Sequence, residues 1–460
     1  MQEIFYQLPS AFPQLLRFYG KERKITILEA SNRVGGRILT HREGGWYAEL
    51  GAMRLPTEHR IVREFIRQFN LLLSTFYSSH NNAWYLVNNV RARHIDVEKN
   101  PDILNYPVRP EEKGKSAIEL YNQTLDRVTT DCKVLKEKYD SFSTKEYLIK
   151  EGNLSRGAVN MIGDLMDLDG GFHLSFLDSV MGHVTFQQGL DEIVNGFDQL
   201  PEAFYRYIDP KADIRFQAPV VNITQDGKEV KVFYHNPSTS VPTLKTADYV
   251  LVATAAKAIR LIKFSPPLSP NKTRALRSLH FSKDVKIFLA CRERFWEEKD
   301  EIFGGKSVTD HPARNIYYPS HNFSNGVGVV LASYTGDDDA DFFNSLSEEK
   351  SVDLVREDLA KIHNLNKSYV QTVCDKHVVK KWGEDEYSMG AYVSLTPYQF
   401  TDFAAALYQN EGRVYFAGEY TAQPHGWIDT AMKGSIRAAR DIHEAMGATH
   451  GWPRGERKGN

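Results

Sequence analysis

Residues 25–37, ITILEASNRVGGR, constrain this chain more than any other stretch. A short run of β-formers ends on an acid, Glu29, and the turn behind it holds Gly35, Gly36 and Arg37. In a dinucleotide-binding unit the acid closing the second parallel strand accepts hydrogen bonds from a ribose, because a carboxylate is a strong acceptor for two vicinal hydroxyls. Paired glycines let the backbone approach a ligand, and an arginine beside them offers a phosphate a planar fork. The stretch thus predicts an α/β chain organised on a parallel sheet. At 460 residues the chain is long enough for further domains around it.

Strand signals recur at 229–235, 248–254, 284–290, 327–333 and 413–419, some alternating and others wholly apolar. Behind Pro56, the segment PTEHRIVREFIRQFN spaces Ile61, Phe65 and Phe69 along one face of a helix that the proline starts. Helical signals dominate 114–209, the stretch 187–208 among them. A last helix over 428–446 follows Gly426 and Trp427, with Asp429 and Thr430 placed to cap it. These patterns predict a dinucleotide-binding domain from 25–75, 210–260 and 405–446. A mixed-sheet domain is expected from 76–113 and 261–404, and a helical domain over 114–209, with 1–24 a divergent N-terminus.

Charge and hydropathy exclude several function classes. With 57 Lys+Arg against 59 Asp+Glu and no long block of like charge, nucleic acid is not an expected partner. The apolar runs at 249–256 and 327–333 fall far short of the ~20 residues that cross a bilayer, so no membrane span is expected. The first 24 residues lack the apolar core and cleavage site of a signal peptide. Six Asn-x-Ser/Thr triplets, at Asn122, Asn153, Asn222, Asn271, Asn322 and Asn366, favour passage through the secretory pathway. The three cysteines are compatible with one bridge plus one thiol in an oxidising compartment, or with three thiols in a reducing one. No metal-ligand spacing stands out.

Two further segments carry candidate chemistry. In ELGAMRLP, Arg54 can pair bidentately with a substrate carboxylate, which a lysine does less well. In YFAGEYTAQPHGWIDT, a buried strand runs through glycine turns into a helix start, whose free N–H groups suit an electron-rich ring or a phosphate.

Together with 148–165, LIKEGNLSRGAVNMIGDL, and TPYQF at 396–400, these segments resemble the flavin-containing L-amino acid oxidases of vertebrates from about Ile25 to about Ala445. The resemblance implies an FAD-binding domain, a substrate domain and a helical insertion. It implies oxidation of L-amino acids, hydrophobic and aromatic ones favoured, to 2-oxo acids, ammonia and hydrogen peroxide, with molecular oxygen as co-substrate. Secretion follows from it, with a lysosomal or vesicular location as the variant, and a homodimer is an assembly it allows.

The same resemblance assigns residues. Glu29 and Ala30 lie on the ribose, Arg37 on phosphate, Val220 on adenine, and Gly51, Ala52, Met53 and Arg54 beside the isoalloxazine. Trp382, Glu419, Gly426, Trp427, Ile428, Asp429, Thr430 and Ala431 complete the flavin site. Lys286 matches the lysine that holds water near the flavin. Arg54 and Tyr334, or its neighbour Ser333, take the substrate carboxylate, and Tyr392, Gly426 and Trp427 frame the amine and side chain. His183, or Gly182 beside it, stands where the family has an active-site histidine. Cys291 and Cys374 match paired cysteines, leaving Cys132 free.

The family pattern breaks at its start. The first strand and the GxGxxG turn that cradle the pyrophosphate are missing from 1–24, where Gly20 is the one glycine and Pro9 and Pro13 intervene. The expectation is therefore a truncated or alternatively started form with weakened FAD binding. Monoamine or polyamine oxidation, and a catalytically impaired form, are the alternatives.

Overall fold

The computed structural model describes the strand Gln2–Tyr6 and residues 24–126, 128, 131–186 and 189–447. At its centre five parallel strands run in the order Asp213–Arg215, Lys24–Leu28, Gln2–Tyr6, Tyr249–Val252 and Val414–Phe416. The apolar runs of Lys24–Leu28, Tyr249–Val252 and Val414–Phe416 are buried on both faces, as a parallel sheet covered by helices requires. Ile25, Ile27 and Leu251 pack on one side with Phe65 and with Ala438, Ala439 and Ile442 of the C-terminal helix Ile428–Ala445. Leu28, Val250, Val252, Val414 and Phe416 pack on the other.

The central strand corrects the expectation for the N-terminus. Gln2–Tyr6 pairs in parallel with Lys24–Leu28 on one edge and Tyr249–Val252 on the other, so the first strand is present. Pro9 and Pro13 follow this strand and do not interrupt it. The glycine turn expected behind it falls on 7–23, outside the described residues.

Two helix expectations shift as well. Pro56 belongs to a two-residue strand, Leu55–Pro56, and the helix starts later, at Arg60–Gln68. Its first amides find their acceptor in Asp429, which takes hydrogen bonds from Ile61 N (2.9 Å) and Val62 N (3.1 Å). Asp429 therefore caps this helix, and Trp427 caps the C-terminal one without a side-chain bond. Within 187–208, Leu190–Ile193 is a strand between Leu55–Pro56 and Leu73–Thr75, ended by left-handed Asn195 and Gly196; among the described residues of this stretch only Gln199–Ile208 is helical.

A seven-stranded mixed sheet forms the second body, in the order Lys376–Lys381, Val285–Cys291, Gly328–Thr335, Asn315–Tyr317, Lys306–Thr309, Trp84–Val87 and Val90–Arg93. Strand alternation divides its two faces. Val285, Ile287, Leu289 and Cys291 pack in one core with the helix Glu348–His363, and Phe288 and Ala290 face the other way, toward Trp46 and Met53. Helices Ala117–Leu125, Cys132–Tyr139, Thr144–Lys150, Arg156–Met166 and Phe176–Phe186 build a helical unit beside it.

Cys291 and Cys374 form a disulfide, as the family resemblance implies. Their Cα atoms lie 3.9 Å apart, just short of the ~4.4–6.8 Å usual for such pairs and well within the ~7 Å limit for a bridge. The Cys132 side chain lies outside the described residues. The bridge closes a loop of 83 residues, so Cys374→Ala should cost about 2–5 kcal/mol of unfolding free energy. Urea denaturation checks this, and an unchanged midpoint would show that the bond adds no stability.

Candidate active site

A cavity of about 800 Å³ opens between the carboxyl ends of the parallel strands, the mixed sheet and the helical unit. Glu29, buried at a strand end, lines it near Gly35, Gly36 and Arg37. Its far end is lined by Arg54, Lys286, Tyr317, Tyr334, Tyr392 and Trp427.

The mixed sheet delivers these groups through its register. Lys286 and Asp284, two residues apart, point to the cavity side by simple alternation. On Gly328–Thr335, Val329 and Leu331 face that side, and continued alternation would send Ser333 there next. A bulge opposite Ile287 and Phe288 inserts one residue, so Ser333 is buried and Tyr334 faces the cavity opposite Lys286. Of the two neighbours, Tyr334 is the one that lines the cavity.

Lys286 is 2% exposed and donates to Glu49 O at 3.0 Å and Gly51 O at 2.6 Å. Burial, aided by the nearby Arg54 charge, lowers its pKa to about 7. Burial also raises the Asp284 carboxyl to about 7. Tyr334 Oη donates to Asp284 Oδ2 at 3.1 Å, and burial followed by the Asp284 charge holds that phenol well above its ordinary value. Arg54 Nη1 donates to Tyr317 Oη at 3.1 Å, with the guanidinium 5.6 Å from the Tyr317 ring and 6.0 Å from the Tyr334 ring.

Glu419 is a junction. Its Oε1 accepts from Arg37 Nη1 (2.9 Å) and Val393 N (3.2 Å), and its Oε2 from Gly426 N (3.1 Å). Gly426 has φ +82°, and a Cβ there would stand 3.3 Å from the Tyr392 ring, so the turn requires glycine to bring Tyr392 against it. His183 lines the cavity from the helical unit, its Nε2 2.8 Å from Asn122 Oδ1, and burial lowers its pKa.

Residues 13–443 match the family described as flavin containing amine oxidoreductase. The chain belongs to this family. It is 49% identical over 433 residues to the L-amino-acid oxidase of Crotalus adamanteus, covering 93% of this chain and 83% of that one. With the L-amino-acid oxidase of Vipera ammodytes ammodytes the identity is 50% over 435 residues, covering 93% and 89%. The fold is shared with putrescine oxidase bound to putrescine, at TM-score 0.78 and 18% identity over 97% of this chain and 98% of that one. Cyclohexylamine oxidase from Brevibacterium oxydans gives TM-score 0.77 and 18% identity, over 97% and 99%.

FAD is the cofactor of this family, and the cavity has the parts that suit it: a strand-end acid, a two-glycine turn, an arginine, and the indoles of Trp382 and Trp427 in its wall. Gly51, Ala52, Met53, Ile428 and Ala431 also line it. Ala30 and Val220 lie in the apolar core and Thr430 bonds Pro424 O, so these three and Asp429 stand outside the cavity wall. Sequence reasoning missed Tyr317 and Asp284. For Asp284 the signal was present, since it shares the Lys286 face; for Tyr317, in NIYYP, nothing distinguished it from Tyr318.

The Lys286 shift has a defined pH consequence. The folded pKa of about 7 lies below the ~10.4 of an exposed lysine, so between those values the unfolded chain binds a proton that the folded one does not. Stability from this group should rise with pH across that window, by at most about 1.4 kcal/mol per unit. Thermal unfolding at several pH values should show a shallower rise for Lys286→Met than for the wild type; parallel curves would contradict it.

Proposed function

We propose that this chain oxidises L-amino acids, with hydrophobic and aromatic side chains favoured, to 2-oxo acids, ammonia and hydrogen peroxide. The observation that carries this reading is the Arg54 guanidinium in the cavity, held by Tyr317 and flanked by Tyr334. A planar cation pairs two N–H donors with a carboxylate, and monoamines and polyamines have none to offer. Arg54 holds the substrate carboxylate, with Tyr334 as the neighbouring phenol. Tyr392 and Trp427 wall the amine and side chain and exclude water. His183, kept neutral by burial, takes the proton from the substrate ammonium. Bound FAD supplies the two-electron acceptor and returns the electrons to oxygen as hydrogen peroxide. Lys286 holds a proton at Nζ beside that chemistry. The disulfide and the exposed Asn153, Asn271, Asn322 and Asn366 support a secretory compartment.

Peroxide release from L-amino acids, compared with their decarboxylated amines, tests the reading. L-amino acids should be the better substrates, and Arg54→Lys should raise their KM about tenfold or more with FAD content little changed, because the fork is lost and the charge kept. Equal turnover of the amines, or an unchanged KM, would overturn it.

The impaired reading rests on one sequence fact: Gly20 is the one glycine between Tyr6 and Lys24, so no GxGxxG follows the first strand. Fewer backbone N–H groups then approach the pyrophosphate. FAD should be lost on gel filtration and restored by added FAD, followed by the flavin absorbance of the eluted protein. Stoichiometric FAD retained through the column would show that donors outside this motif suffice.

A further inference from the structure

The two segments that wall the substrate end, 391–395 and 425–427, are bridged twice by carboxylates, one buried and one half-buried. Glu419 bonds Val393 N and Gly426 N. The second bridge comes from the helical unit: Asp178 Oδ2 accepts from Leu395 N, and its Oδ1 lies 3.0 Å from His425 Nδ1. Asp178 and His425 both line the cavity, with side chains 13% and 6% exposed. Leu395 is also held through its carbonyl, which accepts from Ser175 N at 2.8 Å just ahead of the helix Phe176–Phe186. The start of that helix is thus docked on the strand that follows Tyr392, and its first-turn carboxylate reaches on to the residue before Gly426 and Trp427.

Resting on the reading of this cavity as an amino acid site, we propose that Asp178 is a positioning residue. Its carboxylate holds the Tyr392 and Trp427 segments together through Leu395 and a protonated His425, so that substrate affinity depends on the charge state of His425. Nothing in the chemical steps assigned to Arg54, Tyr334 or His183 requires this pair.

The charges around His425 set the direction of the dependence. Burial opposes its proton, but Asp178 from the helical unit and Glu419 from its own turn outweigh that and raise its pKa. Glu419 is in turn paired with Arg37, and the Phe400 ring packs 6.4 Å away, bringing no charge. Because the docked arrangement raises the histidine pKa, docking is fully supported below the ordinary value of ~6.5 and weakens as pH rises through the raised one.

Two measurements separate this proposal from the reading it rests on. The first needs neither substrate nor turnover: the imidazole titration of His425 in the holoprotein, followed by NMR with labelled histidine and assigned with His425→Gln. Its pKa should lie above ~6.5 and fall in Asp178→Asn, which keeps the shape and removes the charge. The second is the pH profile of KM for an L-amino acid. KM should climb as pH rises through the His425 pKa, with kcat changing less. Asp178→Asn should raise KM about tenfold at the low end and flatten the climb, and Asp178→Glu should restore part of it. If Asp178→Asn does not fold, His425→Gln serves the same purpose, since it should abolish the climb. An unshifted His425 pKa in Asp178→Asn, or a KM profile that neither variant alters, would overturn the proposal. Absence of any amino acid oxidation by the wild type, with the pKa shift present, would instead overturn the assigned activity and leave the Asp178–His425 coupling standing.

Discussion

The buried carboxylate of Glu419 is the contact on which the cavity depends. It is 3% exposed and accepts hydrogen bonds from Arg37, Val393 and Gly426, three segments that are distant in sequence. An unpaired carboxylate at such a depth would be costly, and these donors supply its hydrogen bonds. The requirement runs in both directions. The acid fixes the glycine turn, the turn seats Tyr392 against Gly426, and Arg37 is drawn from the dinucleotide side toward the substrate side. Cofactor end and substrate end are thereby parts of one hydrogen-bonded assembly, not neighbours by accident of packing.

A second constraint is electrostatic. Arg54 and Lys286 are two basic groups lining the same cavity, and the Arg54 charge helps pull Lys286 down to about 7. The protein tolerates them because their donors are answered by neutral acceptors: Glu49 O and Gly51 O for the lysine, the Tyr317 hydroxyl for the arginine. Neutral acceptors satisfy donors without cancelling charge. The lysine, lowered to about 7, stays close enough to neutrality to exchange a proton near pH 7.

Much of this was legible in the sequence, for identifiable reasons. Strand-end Glu29, the GGR turn and the apolar runs at 248–254 and 413–419 are local patterns, and each became the element expected. What was not legible depended on partners far along the chain. Asp429 reads as a cap for its own helix, yet it caps Arg60–Gln68, because that helix packs against the C-terminal one and leaves its first amides facing the acid. Leu190–Ile193 reads as helical beside its neighbours, but two short strands present an unfilled edge that it completes. The choice between Ser333 and Tyr334 turned on a one-residue bulge, which alternation alone does not foresee.

The first strand shows the same point most fully. Read alone, QEIFY followed by two prolines gives no reason to expect the middle of a sheet. Lys24–Leu28 and Tyr249–Val252 are nevertheless apolar strands of a parallel sheet, and each would be left with an open edge inside the protein if nothing lay between them. Unpaired backbone N–H and C=O groups there would have no water to turn to, so any extended segment able to reach is stabilised in that place. QEIFY alternates enough β-forming side chains to be accepted. The sheet's need for a central strand is thus met by backbone hydrogen bonding, which asks little of side-chain identity. A pyrophosphate cradle asks for glycines at fixed positions, and backbone pairing cannot supply those. The fold and the cofactor loop therefore place separate demands on the same stretch of chain, and this sequence satisfies the first without carrying the motif of the second.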